Sequence, residues 1–121
     1  MFLATFNPAR QLLCCSYIDT VLPDELARGR ADVHQLIAGL APGYRLLVNL
    51  SQLKAMSVEC LTEVGAMMEL FDRSGVGLVV RVIPDETKDI GFNILTVFHY
   101  PHRPQIVTCQ TLPEAARVLG L

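Results

Sequence analysis

The chain has no tryptophan and little charge: 18% of its 121 residues are Asp, Glu, Lys or Arg, ten basic against twelve acidic, for a formal net charge of −2. These charges are spread along the whole length. With no basic stripe, nothing is in place to displace counterions from a phosphate backbone, and a nucleic-acid partner is not expected. No apolar run approaches the roughly 18 residues that a membrane span needs, and the opening stretch from Met1 to Pro8 lacks a basic leader followed by an apolar segment. The expectation is a cytoplasmic protein without a membrane span. The four cysteines, Cys14, Cys15, Cys60 and Cys109, show neither the spacing of a zinc ribbon nor that of a dithiol redox site. Each lies in an apolar segment, where a free cysteine behaves as a small hydrophobe. Ser16, Ser51, Ser57 and Ser74 lack the Gly-x-Ser-x-Gly elbow that exposes a nucleophile. Gly75-Val76-Gly77 stands before a strand instead of between strand and helix, so it reads as a turn and not as a nucleotide loop. The usual signatures of catalysis are missing, and the reading is a non-enzymatic protein without cofactor or metal.

What the chain does have is apolar residues, 51% of the total. That proportion excludes disorder and calls for a dense core, a sticky surface or both. The length suits one domain, residues 1–121. Phe2 to Phe6 and Leu12 to Ile18 read as strands around the turn residues Asn7-Pro8-Ala9-Arg10, an antiparallel hairpin. Pro23 opens a helix with Asp24 and Glu25 in its first turn, where the dipole favours anions. Leu26, Val33, Leu36, Ile37 and Leu40 recur at helical spacing until Ala41-Pro42-Gly43. Arg45 to Leu50 is a short strand, and Ser57 is a natural cap for a second helix carrying Leu61, Val64, Met68 and Phe71, closed by Arg73-Ser74-Gly75. Gly77 to Ile83 is the most β-prone segment. Pro84-Asp85 caps a third helix over about Glu86 to Phe98, Gln105 to Cys109 is a last strand, and Thr111-Leu112-Pro113-Glu114 starts a closing helix.

This order predicts an α/β fold: an N-terminal β-hairpin followed by alternating helices and strands, with a mixed five-stranded sheet and helices mainly on one face. A sheet buried on both sides seldom carries an arginine in mid-strand. Arg81 is therefore expected on a face that the helices do not fully cover.

His99 and His102 flank Tyr100-Pro101, but no cysteine stands beside them and the nearest upstream carboxylate is Asp89, so they read as a polar loop and not as a metal site. Asp85, Glu86 and Asp89 are accounted for by the dipole of the helix they open. His34 reads as solvated. Met56, Met67, Phe92, Phe98, His99 and Tyr100 form the expected partner or ligand surface, because methionines and aromatics outside a core suit a protein partner or a homodimer seam. A small-molecule or lipid site between the third helix and the sheet, lined by Phe92, Phe98, His99 and Tyr100, is the alternative function, and it requires a sizeable enclosed apolar pocket.

Leu47-Val48-Asn49-Leu50-Ser51-Gln52-Leu53, then Ala55-Met56-Ser57 and Leu61, resembles the STAS family shared by sulfate transporters and anti-sigma-factor antagonists, and the order of elements matches that family over essentially all of the chain. In the family a strand ending in Asp-Leu-Ser leads through a short apolar loop to an Asp-Ser pair at the next helix. Here Asn49 and Met56 occupy the positions of the two aspartates. The resemblance implies a regulatory protein-interaction module of anti-sigma-factor-antagonist type, with a kinase or an anti-sigma factor as partner. It places the phosphorylated serine of the antagonist branch on Ser57.

Overall fold

The structure, a computed structural model, describes residues 1–84, 91–93, 95, 96, 98 and 100–121. Two strands, β1 (Phe2–Asn7) and β2 (Leu12–Val21), form the expected antiparallel hairpin around a single 3-10 turn, Pro8–Arg10. Asn7 starts that turn by accepting a hydrogen bond from the Arg10 N–H, and Gln11 ends it in the left-handed conformation at φ 49°. Then follow α1 (Pro23–Ile37), β3 (Arg45–Met56), α2 (Cys60–Arg73) and β4 (Leu78–Val82). The helical residues 91–93, 95, 96 and 98, here α3, precede β5 (Gln105–Cys109) and α4 (Leu112–Leu119). The expected start of the third helix at Asp85 and Glu86 lies outside the described residues, as do Asp89, Ile90, Ile94, Val97 and His99.

The strand order is β1-β2-β3-β4-β5, with β1 antiparallel and the others mutually parallel. Because each parallel strand lies beside its predecessor, successive right-handed crossovers put their helices on one face. That face carries Leu13, Cys15, Tyr17, Leu46, Val48, Leu50 and Val79, which join Leu26 and Val33 of α1, Val64, Met68 and Phe71 of α2 and Phe92 of α3 in one core. Among the described residues only α4 packs on the other face, its Ala115 and Leu119 meeting Leu12, Val80, Val82 and Cys109 in a second, smaller core. The expected α/β architecture is thus present, with the closing helix as the exception to the one-sided layer.

Arg81 corrects an expectation. The register sets Val48 beside Arg81 and Leu47 beside Val80, so the arginine faces α3 on the helix-covered side. It is 4% exposed, and its guanidinium donates to Asn93 Oδ1 on α3 and to Thr108 Oγ1 on β5. A covered face need not be apolar: polar partners on α3 and β5 offset the cost of burying the guanidinium.

Several boundaries also differ. Both β2 and β3 run on past Ile18 and Leu50, pairing as far as Val21 and Met56 through register shifts at Ser16/Ile18 and Asp19/Thr20. Irregular backbone is accommodated inside the strands: Asp19 takes φ 59°, and Asn49 Oδ1 accepts from both the N–H and the hydroxyl of Ser51. Ser57 is not the cap of α2. That helix starts at Cys60, and no side chain caps it.

Candidate functional site

The end of the molecule where the parallel strands finish collects the side chains that the core leaves out. Val21 and Met56, the last residues of β2 and β3, are paired there. Leu22 follows directly and is 54% exposed. After Met56 the chain makes one tight turn, in which the carbonyls of Ser57 and Val58 accept from the N–H groups of Cys60 and Leu61 at 3.0 Å each. This turn lifts Ser57, Val58 and Glu59 into solvent, with Val58 79% exposed. Single exposed apolar residues are ordinary on a surface; what is informative here is that they gather at one end of the molecule.

Beside the turn runs a concave, mainly apolar groove of ≈ 220 Å³ between the end of β3, the first turn of α2 and α3. Leu53, Ala55, Met56, Leu61, Phe92 and Leu95 line it. Met56 and Phe92 of the expected surface therefore meet at one place. Phe98 is exposed on α3, whereas Met67 and Tyr100 are buried at 1% and 5% exposure and belong to no surface. The reason is position: α2 packs against α1, and its buried arc of Cys60, Val64, Met67, Met68 and Phe71 joins the strand residues in the main core. Tyr100 packs into the same interior. His99 lies outside the described residues.

Ser57 keeps its hydroxyl 3.7 Å from the Cys60 thiol, which in turn reaches the Val21 carbonyl at 3.4 Å. The Glu59 carboxyl is held below its usual range by its own backbone N–H and then by the Ser57 hydroxyl. The turn thus carries a settled negative charge beside an exposed serine. Two further acids, Asp24 and Glu25, occupy the first turn of α1 at the same end, where Glu25 accepts from the Leu22 N–H.

The remaining candidates are structural. Asp72 is buried and accepts from the His102 backbone N–H at 3.2 Å, while its other oxygen lies 2.7 Å from His102 Nδ1, a clamp that fixes the loop before β5 to α2. Nothing in the sequence marked Asp72, since a carboxylate in a helix is ordinarily exposed. Among the described residues no group of three His, Cys, Asp or Glu comes together. Cys14 faces away from the main core and is half-buried, and burial raises its thiol, which disfavours the reactive thiolate. The enclosed space between α3 and the sheet, beside Tyr17, Arg81, Phe92 and Tyr100, amounts to ≈ 20 Å³. That is room for about one water, far below the roughly 300 Å³ at which ligand pockets begin, so among the described residues no lipid pocket is formed there.

No protein-family model matches the sequence, and no curated protein matches it. Solved structures do match. The anti-sigma factor antagonist SpoIIAA, in its unphosphorylated form, aligns over 100% of both chains with a TM-score of 0.65 and 17% identity. A protein of the DUF3478 family with a SpoIIAA-like fold, from Shewanella loihica PV-4, gives a TM-score of 0.71 at 11% identity over 98% of this chain and 92% of that one. An anti-sigma factor antagonist from Mycobacterium paratuberculosis gives 0.60 at 15% identity over 100% and 94%. What is shared at such identities is the path of the backbone: the chain has the SpoIIAA-like, STAS-type fold.

Proposed function

We propose that the chain is a non-enzymatic regulatory module that docks a protein partner through the Ser57 end. The observation that carries this reading is the coincidence of exposed Leu22, Val58 and Leu61 with the apolar groove lined by Met56, Phe92 and Leu95. A protruding apolar side chain of a partner, seated in the groove and ringed by these residues, would have the anatomy of a binding hot spot. The likeness to anti-sigma factor antagonists supports a partner of the kind such proteins meet, an anti-sigma factor or its kinase.

Ser57 is the proposed point of control. A phosphate there would add about −1.5 to −2 charges next to Glu59, already ionised, and like-charge repulsion would change the turn that presents Val58. Capture experiments with tagged protein in lysate of the cells that make it test the docking. A protein retained by the wild type, lost with Val58→Glu and kept with the remote Arg117→Glu is expected; equal retention by all three overturns the reading. Mass spectrometry of the native protein tests the control separately, since Ser57 without phosphate under every growth condition removes the switch and leaves the docking untouched.

A further inference from the structure

The groove between α1 and α2 lies apart from the Ser57 turn and has the opposite character. It measures ≈ 510 Å³, within the range of small-molecule sites. Its lining includes short side chains, among them Ala31 and Ala66. Arg30 and His34 also line it, four residues apart and therefore on one face of α1, with Arg73 across the groove on α2. One carboxylate, Glu69, also lines it, so two guanidiniums and an imidazole face a single acid in a chain whose net charge is −2. Glu63, which does not line the groove, holds the Arg30 guanidinium at 3.5 Å.

His34 and Arg73 each lie in the last turn of a helix, where cations complement the dipole. That accounts for their presence on each helix, and the ion pair with Glu63 accounts for Arg30, but neither explains why the three donors meet over one concavity. Larger side chains at Ala31 and Ala66 would fill the groove and separate the three groups. Guanidinium groups present a donor fork that matches carboxylate and phosphate oxygens.

We infer that the groove between α1 and α2 binds a small polyanion, with Arg30 and Arg73 gripping its carboxylate or phosphate groups from the two sides and His34 adding a third donor. The test is titration of the full-length, isotopically labelled protein with citrate and with pyrophosphate, followed by amide chemical shifts against potassium chloride at matched ionic strength. Saturable shifts confined to the facing stretches of α1 and α2 are expected, with affinity falling about tenfold or more in Arg30→Gln/Arg73→Gln. Citrate and pyrophosphate arms show whether carboxylate or phosphate is preferred. Shifts that do not saturate, that lie elsewhere or that chloride reproduces overturn the site, as does an unaffected double variant. Should that variant fail to fold, Ala31→Leu serves instead, because it fills the groove and leaves every charge in place; binding undiminished by it also overturns the proposal.

Discussion

A single missing side chain lets α1 approach the hairpin. A Cβ at Gly29 would lie 2.3 Å from the ring of Phe2, and that ring cannot swing away freely because it is packed edge-on against Tyr17 at 5.1 Å. Gly29→Ala should therefore destabilise the fold by roughly 1–3 kcal/mol through overpacking, even though alanine is the better helix former. Urea denaturation of the two proteins measures it, and an unchanged or raised midpoint would show that Phe2 has room. The tyrosines offer a second residue-level prediction. Tyr17, Tyr44 and Tyr100 are all the tyrosines of the chain, all are buried, and burial pushes each phenol upward. Tyr44 rises to about 12, against a partial lowering by its hydrogen bond with Ser74. A phenol raised on folding favours the folded state fully below the unfolded value, about 10, and that contribution is lost as pH climbs through the folded one. Tyrosinate absorbance should thus stay flat past pH ~10 and then rise together with loss of helical circular dichroism. A smooth titration centred near 10 in the intact fold would contradict the burial.

At the scale of elements, Arg81 and α4 mark what the sequence could and could not disclose. Alternating apolar residues, Pro23, the Asn7–Arg10 turn and the Thr111 cap were legible because each acts within a few residues. Thr111 indeed accepts from the Glu114 N–H, and Gly120 ends α4 at φ 72°. The partners of Arg81 were not legible, since Asn93 and Thr108 lie on other elements and only register brings them to it. For the same reason Asp72 with His102 could not be foreseen, nor could the groove beside Ser57, although Met56 and Phe92 stood out singly. Arg81→Ala should cost about 2–4 kcal/mol through lost hydrogen bonds and a cavity under α3, and Arg81→Met should recover at least half of that by refilling the volume. If methionine were as damaging as alanine, the polar contacts and not the packing would be decisive. For α4, Leu119→Ala should cost about 2–4 kcal/mol because that side chain closes the second core, whereas Val118→Ala, at a position 44% exposed, should stay within about 0.5 kcal/mol. Equal effects would mean that α4 is not seated as described.

For the whole molecule, the arrangement separates stability from recognition. The crossovers through α1 and α2 return the chain along the same face, so the ends of β2 and β3 and the starts of α1 and α2 gather at one pole. Turns there must reverse direction over very few residues, and short turns cannot bury their own side chains. Val58 is the clearest case: it contributes almost no burial yet stands beside the only serine between β3 and α2. A docking surface built in this way can change without disturbing the core beneath it. Val58→Glu should accordingly leave the urea midpoint of the isolated protein unchanged within about 0.5 kcal/mol, the ordinary effect of an exposed substitution, while abolishing partner capture. Leu53→Glu, two strand positions from the groove's edge residue Ala55 but only 7% exposed, should fail in both respects because a carboxylate there enters the core. If Val58→Glu instead destabilised the fold by more than about 2 kcal/mol, the turn would be part of the scaffold, and loss of capture would no longer distinguish a binding surface from unfolding.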